Sequence, residues 1–382
     1  MCLKTKVLIA IPCLLLGGTE YQTLNLVKAL KENGYDVKVL CYFEYDYRMV
    51  TYMNEIGAEV LLMTKDGIRP TKFVAIISSL FRGFRSVLQI YKPDIVHVQY
   101  MAPGSLSILL FKLLGVKKLF ATAHVPGHIY KNKLVPKFIA AYITNSFLCV
   151  SRSSEEAFFE KDAQLFTPEL FRKGRKHFTI YNCVELSPNY AKISHQKNEY
   201  FTIGIVSRLS FEKGIDIMIS AMSMLVQVYP NVKLLIVGDG SERSNLVNLS
   251  EKLDVVDTIR WVGLQPKDKL IHYYEQMDLV VVPSRFEGFG LTAIEAMSFG
   301  IPVVASAVDG LKEVIEDGES GVLFPSEDAE LLSDTVLRLI KDDITRESIA
   351  ISGKKRVIEQ FSYGIYKENI NKLYKVLTED IH

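Results

Sequence analysis

Ser284-Arg285-Phe286-Glu287-Gly288-Phe289-Gly290-Leu291-Thr292-Ala293-Ile294-Glu295-Ala296-Met297 is the stretch that orders the rest of the chain. A short apolar run, residues 279–282, precedes it, and apolar side chains recur at helical spacing after Gly290. The segment therefore reads as a strand's carboxyl end, a glycine-punctuated loop and the start of a helix. Such a turn presents free backbone N–H groups and the positive end of a helix dipole to an anion. Gly288 and Gly290, with Phe289 and Leu291 beside them, let the backbone come close to a ligand. Glu295 falls inside the helix, where a carboxylate repels phosphate but accepts two hydrogen bonds from a ribose diol. Glu287, in the loop, is placed for sugar hydroxyls. The plainer reading, a capped helix with solvated glutamates, gives two carboxylates around a Gly-x-Gly turn nothing to do.

A second loop has the same position relative to a strand. Ser207-Arg208-Leu209-Ser210-Phe211-Glu212-Lys213-Gly214 follows the apolar run 201–206. In an open parallel sheet, ligands bind beyond the carboxyl ends of the strands. Arg208 and Lys213 leave that end together, a guanidinium and an ammonium matched to a diphosphate. Fixed cations there also lower the barrier to a step in which charge builds on a departing diphosphate. Gly238-Asp239-Gly240 ends another apolar run but lacks the third glycine of a dinucleotide fingerprint. Gly238 is therefore read as part of a turn beside a bound nucleotide, not as a nicotinamide cofactor site.

Outward from these loops, short apolar runs alternate with longer amphipathic stretches along all 382 residues. Strands are expected at 6–11, 36–41, 59–63, 95–99, 118–123, 147–150 and 178–181, then at 201–206, 232–237, 259–262, 279–282, 302–306 and 321–324. Helices fill the intervals, among them 19–33, 72–91, 214–229 and a closing helix at 363–377. This alternation implies parallel sheets with right-handed crossovers. Residues 187–200 are polar and aperiodic and read as a linker. The division is an N-terminal domain at 1–186 and a C-terminal domain at 201–362.

The N-terminal half holds weaker candidates. Gly17-Gly18-Thr19-Glu20 follows the first strand and opens a helix, with Thr19 as its N-cap. Gly18 then faces an anion, and Glu20 is either a cleft residue or a carboxylate placed to suit the helix dipole. His124 stands just past a strand end, on the ligand side of the sheet. Asn182 follows the strand 178–181, close to the expected cleft, where it can hydrogen-bond, and His97 sits inside an apolar run without assigned chemistry.

Hydrophobic residues make up 48% and charged residues 23% of the chain, which excludes disordered and collagen-like classes. The five cysteines show neither zinc spacing nor a disulfide framework, which reads as reduced thiols in a cytoplasmic protein. Lys4, Lys6 and the apolar run 7–16 imitate a signal peptide, but Pro12 interrupts it, and a buried strand is the better reading. No Asp-x-Asp occurs, so no metal site is expected and protein cations must neutralise the diphosphate. Charge is asymmetric. Residues 1–190 carry 24 basic and 15 acidic side chains, +9, whereas residues 191–382 carry 21 and 29, −8. The basic half suits an anionic partner such as a membrane's inner face, unless the asymmetry is only chance surface composition. Segment 72–92, with Arg82, Arg85 and Lys92 among many apolar residues, reads either as a helix lying on that surface or, slightly better, as a core helix with a basic outer edge.

Taken together, these residues resemble the retaining glycosyltransferases of family 4, group 1. The resemblance rests on the Gly17–Glu20 turn, His124 at its strand end, Ile180-Tyr181-Asn182-Cys183-Val184-Glu185, the Arg208 and Lys213 pair, Glu287 and Glu295 with seven residues between them, and the continuation through Val304. It implies a GT-B fold, two Rossmann-like domains with parallel sheets facing across a cleft, and the closing helix packed back on the first. It also implies that Glu295 binds the nucleotide ribose, that Arg208 and Lys213 hold the diphosphate, that Glu287 and His124 lie near the donor sugar, and that Gly18 faces phosphates or acceptor. Cys183 departs from the glycine usual in that motif, which puts the turn's detail in question.

The expected activity is transfer of a hexose from a nucleotide-sugar donor to a glycan or lipid-linked acceptor, with no cofactor. Two other readings remain: a nucleotide-sugar 2-epimerase or phosphorolytic enzyme on the same architecture, and a non-catalytic nucleotide-sugar or nucleic-acid binder. The last lacks any basic-aromatic recognition motif, so no nucleic-acid partner is expected.

Overall fold

The computed structural model describes residues 4–124, 134–160, 162–186 and 199–378. It divides into two units. One contains the chain up to Asn182 together with the segment from Tyr363 onward, and the other is Cys183–Ser362. Of the expected linker, residues 187–198 lie outside the described residues.

The N-terminal unit is built on seven strands, β1 Lys6–Ile11, β2 Asp36–Cys41, β3 Glu59–Leu62, β4 Ile95–Gln99, β5 Lys118–Ala123, β6 Ser146–Cys149 and β7 His177–Thr179. All pair in parallel, in the order β3-β2-β1-β4-β5-β6-β7. Val7 to Ile11 and Ile95 to Gln99 are buried, which is why these strands read as unbroken apolar runs instead of alternating ones. The closing helix, Tyr363–Thr378, belongs to this unit and packs on helix Gly18–Glu32. Its Tyr374 is fully buried, edge-on to Phe120 and Tyr35, and its Lys367 pairs with Glu32 at 2.6 Å.

The second unit repeats the plan with six parallel strands, β8 Phe201–Val206, β9 Val232–Val237, β10 Ile259–Gly263, β11 Leu279–Val282, β12 Val303–Ser306 and β13 Val322–Phe324, in the order β10-β9-β8-β11-β12-β13. Its core joins the strand side chains Ile203, Ile205, Leu234, Ile236 and Val281 to one face of helix Ile215–Val228.

Four local expectations need correction. Gly17, in an extended conformation, is the N-cap of the first helix, and Thr19 lies inside it with its carbonyl accepting from the Thr23 hydroxyl. The last strand of the first sheet is His177–Thr179, so it starts and ends earlier than the expected 178–181, with Asn182 following it. Lys213 belongs to a tight turn, Phe211–Lys213, and the helix after it starts at Ile215 because Gly214 adopts a left-handed conformation. Cys183 is buried with no positive φ, so glycine's freedom is not needed there.

Two glycines are required by close backbone approach. A Cβ at Gly214 would sit 2.0 Å from the Pro283 carbonyl oxygen, and one at Gly238, where φ is +142°, would sit 1.8 Å from that of Ser207. Gly238→Ala therefore destabilises the second unit by about 2–4 kcal/mol through strain alone. Thermal unfolding checks this: a midpoint equal to that of the parent protein would contradict the packing.

Candidate functional site

A sheet whose strand order reverses leaves a crevice at the reversal, beyond the carboxyl ends of the two central strands. In the second unit those strands are β8 and β11, and the loops that leave them are 207–214 and 283–290. The two loops most informative in sequence are therefore neighbours in space.

Arg285 fixes their relation. Its guanidinium binds both carboxylate oxygens of Asp216, at 2.8 and 2.7 Å, and both of Glu327, at 2.5 and 3.1 Å. It also donates to the Phe211 carbonyl at 2.8 Å and lies over the Phe211 ring at 4.2 Å. The Arg285 backbone N–H donates to the Glu212 carbonyl at 2.8 Å. Hydrogen bonding to Asp216, ahead of the opposing effect of burial, raises the guanidinium pKa further above its ordinary value, so Arg285 is a permanent cation. All of its donors are thus committed to structure.

The pinned loops bring Lys213 and Glu287 together. Lys213 Nζ lies 2.7 Å from Glu287 Oε2, and the Ser284 hydroxyl donates to the same oxygen at 3.4 Å. The ammonium has three donors and Glu287 takes one. Arg208, on the same loop, is exposed and makes no ion pair with a described residue. Glu212 sits close to both cations, and its carboxyl is held below its usual range: burial pushes it up, but hydrogen bonds from Ser210 and its own backbone, with the charges of Arg208 and Lys213, outweigh burial.

Helix Leu291–Ser298 starts from left-handed Gly290. The Thr292 hydroxyl donates to the Val206 carbonyl at 2.9 Å, tying the helix start to the end of β8. A Cβ at Gly290 would meet Leu311 at 2.8 Å. Gly310 N–H donates to the Glu287 carbonyl at 3.2 Å, and a Cβ at Gly310 would fall 2.6 Å from the Gly288 carbonyl oxygen, so residues 287–290 are held from behind. Phe289 is buried edge-on against Phe361. Glu295 receives the Tyr274 hydroxyl at 3.3 Å and has Lys267 Nζ at 3.7 Å. Tyr274 and Lys267 were not singled out in sequence, because they come from helix Lys267–Tyr274, about twenty residues upstream. Gly238 and Gly240 press against the backbone of Ser207 and Leu209, so they shape the loop that carries Arg208.

The N-terminal unit has its own polar site at the carboxyl end of its sheet. His97, Gln99, Thr122, His124 and Asn182 line one cavity with Gln22 of the first helix. His97 is fully buried between the Tyr374 hydroxyl, 2.8 Å from Nδ1, and the Thr122 hydroxyl, 2.7 Å from Nε2. His124 Nε2 lies 2.8 Å from Gln99 Oε1. With that oxygen accepting, His124 carries its proton on Nε2, and its buried Nδ1 lone pair has no partner among the described residues. Burial lowers both histidines to about 3, so both are neutral.

Glu20 is buried, and a Cβ at Gly17 would stand 2.5 Å from its Oε2, so the carboxylate folds back over the helix start. Cys13 Sγ and the Tyr100 hydroxyl lie 3.5 and 3.4 Å from its other oxygen. Burial, then the Glu20 charge, pushes the Cys13 thiol up to about 12. Tyr100 holds a positive φ of 63° at the end of β4, with its ring 5.6 Å from that of His124. Such strain in a non-glycine residue collects at sites of function, and no sequence pattern announces it.

Two parallel α/β units with polar strand ends make this a GT-B fold, shared with solved glycosyltransferases. Residues 16–162 match the model described as Glycosyltransferase Family 4 and residues 187–356 the one described as Glycosyl transferases group 1, so the chain belongs to the group 1, family 4 type of glycosyltransferase. It is 27% identical over 392 aligned residues to an uncharacterized glycosyltransferase of Methanocaldococcus jannaschii, covering 96% of each chain. It is 31% identical over 183 residues to the capsular polysaccharide biosynthesis glycosyltransferase CapM of Staphylococcus aureus, 48% of each. The crystal structure of Anabaena HepE in complex with UDP-glucose aligns with a TM-score of 0.78 at 19% identity, covering 97% of this chain and 99% of that one.

Two outcomes test this geometry. Arg285→Ala removes the clamp between the loops without removing Lys213 or Arg208; it should cost about 2–4 kcal/mol of stability in urea unfolding, since Asp216 and Glu327 lose their common partner. An unchanged midpoint would show that the loops are held otherwise. His97 is neutral in the folded protein down to about pH 3 but protonates near pH 6.5 in the unfolded chain. The unfolded state thus binds more protons between these values, and stability falls as pH drops from about 6.5 toward 3, by up to about 1.4 kcal/mol per pH unit. In His97→Asn the acid limb of stability against pH is shallower by one proton; equal slopes would contradict the burial of a neutral imidazole.

Proposed function

We propose that the protein is a hexosyltransferase that moves a hexose from a nucleotide-diphosphate sugar to a growing glycan or lipid-linked acceptor, with retention, in surface polysaccharide or glycoconjugate synthesis. The observation that carries this is the convergence of Lys213, Glu287, Arg208 and the start of helix Leu291–Ser298 at the reversal point of the second sheet. Two relatives agree in kind: the HepE structure is a complex with UDP-glucose, and CapM is a capsular polysaccharide biosynthesis glycosyltransferase.

In this reading the nucleotide's diphosphate lies against Arg208 and Lys213, with the N–H groups that open the helix completing its shell. Lys213 keeps Glu287 as one partner and turns its other donors to phosphate oxygens. Glu287, so oriented, accepts from donor sugar hydroxyls, and Glu295 accepts from the ribose diol. Transfer breaks the anomeric carbon–oxygen bond with its electrons leaving on the diphosphate, while the acceptor oxygen bonds to that carbon and its proton passes to the departing phosphate. Charge grows on the diphosphate as this occurs, and cations already fixed in place stabilise it without reorganising. Metal independence is part of the proposal, since these protein charges do the work. His124, neutral and with an Nδ1 lone pair that no described residue fills, suits a hydroxyl donor and not an anion, which supports a reading in which the N-terminal cavity and its Asn182 face sugar hydroxyls.

A donor screen read by nucleotide release tests it. Lys213→Ala and Arg208→Ala each lower turnover at least tenfold, about 1.4 kcal/mol of barrier or more, and Glu295→Gln raises the donor KM more than it lowers kcat. Near-parental turnover in both cation variants would remove the phosphate clamp. Conversion of donor without acceptor, to an epimer instead of free nucleotide, would replace transfer by epimerisation.

A further inference from the structure

One face of the N-terminal sheet is covered by helices Phe73–Tyr91, Met101–Leu113 and Leu134–Phe138, the last continued by the wider turn Ile139–Ile143, packed side by side. Their inner side is core: Leu80, Phe84, Phe111, Ile139 and Ala140 meet the strands, and the Phe84 and Phe111 rings stack at 4.1 Å. Their outer side is apolar as well. Phe73 is 69% exposed, Val74 76%, Leu113 74% and Leu134 75%, and Val135, Phe138 and Tyr142 are exposed with them. A surface helix ordinarily turns a polar face to water, and a monomeric soluble protein seldom keeps so many large apolar side chains on one layer.

Charge around this layer is mostly of one sign. Residues 72–143 contain ten Lys and Arg and one acidic residue, Asp94. Lys72, Arg82, Arg85, Lys92, Lys112 and Lys117 are exposed. Apolar side chains among exposed cations, with few carboxylates beside them (Asp94, and Glu160 paired with Lys137 at 2.6 Å), fit the interface of an anionic bilayer, which takes the apolar groups into the acyl boundary and the cations at its phosphates.

Helix Phe73–Tyr91 is long and apolar enough to cross a membrane, but it is held to the unit. The Tyr91 hydroxyl donates to the Asp36 carbonyl at 2.7 Å, and Leu80 and Phe84 are buried in the core. It therefore lies on a surface and does not span one. Crossovers also bring part of this apolar surface to one edge of the sheet. The helices that begin at Phe73 and Leu134 follow β3 and β5, so their exposed starts lie at the carboxyl-end edge of the sheet, the edge that carries Glu20 and His124.

We infer that this three-helix layer is a docking surface for an anionic lipid bilayer, which sets the carboxyl edge of the N-terminal sheet at the height of headgroups. An acceptor borne on a lipid is then presented at that edge, whereas a free soluble glycan has no need of it. The lipid surface is a separate claim from transfer chemistry, and its readout is separate.

Sedimentation of the full chain with vesicles tests it. The protein is expected to pellet with vesicles containing phosphatidylglycerol, to bind pure phosphatidylcholine at least about tenfold more weakly, and to release as salt rises. Arg82→Glu with Arg85→Glu lowers binding to the anionic vesicles about tenfold or more. Phe73→Ser with Val74→Ser lowers it also at high salt, where the apolar contribution remains. Circular dichroism and donor turnover on a soluble acceptor stay at parental values in both, which separates loss of docking from loss of folding or of the site. Equal, salt-independent binding to both lipids, no binding to either, or parental binding by both variants would overturn the inference. So would a dimer in sedimentation velocity that Phe73→Ser with Val74→Ser dissolves in the absence of vesicle binding, which would give the face to a second copy of the chain.

Discussion

The Arg285 guanidinium, shared between Asp216 and Glu327 and laid over Phe211, is the interaction on which the C-terminal site depends. Two loops that leave neighbouring strands would otherwise be free to separate. Bidentate pairing fixes direction as well as distance, and here it fixes the turn Phe211–Lys213 against the loop that begins at Ser284. Every later feature of the site follows from that placement: the Lys213–Glu287 pair, the exposed Arg208, and the helix start at Gly290. Glycine cooperates by absence, since a Cβ at Gly214 would drive these same loops apart and one at Gly238 would push the Ser207 backbone out of place.

The two units use one scheme with different chemistry. Both place loops at a strand-order reversal, where backbone N–H groups and helix starts converge. In the C-terminal unit the side chains added there are cations paired with carboxylates. In the N-terminal unit they are neutral: two histidines lowered to about 3, two glutamines and an asparagine, with Glu20 enclosed behind Gly17. One site is rich in charge and the other in neutral hydrogen-bonding groups, which is the division the proposed transfer of an uncharged sugar from a charged leaving group calls for.

Much of this was legible in the sequence, for a physical reason. Parallel strands buried on both faces leave unbroken apolar runs, and loops at their carboxyl ends keep their residues together, so the strand–loop–helix reading from residue 279 to 298 and the loop from 207 to 214 hold in the structure. What sequence could not give is pairing across distance. Lys213 and Glu287 are separated by 74 positions, and nothing local says that they touch. Arg285 stands inside the most informative stretch, yet it serves as a clamp, because Asp216 and Glu327 lie far from it along the chain. Tyr274 and Lys267 reach Glu295 from another helix. Thr19 failed as a cap because Gly17 already supplies the extended residue and Glu20 folds over the helix start.

The central claim is that charge belonging to the protein holds the nucleotide's diphosphate. Calorimetric titration of the full chain with a nucleoside diphosphate, in the presence of a strong chelator, tests it most directly. The account predicts binding that survives the chelator and weakens at least about tenfold when Lys213 is replaced by alanine. Binding that vanishes with the chelator, or that is indifferent to the Lys213→Ala substitution, would contradict it.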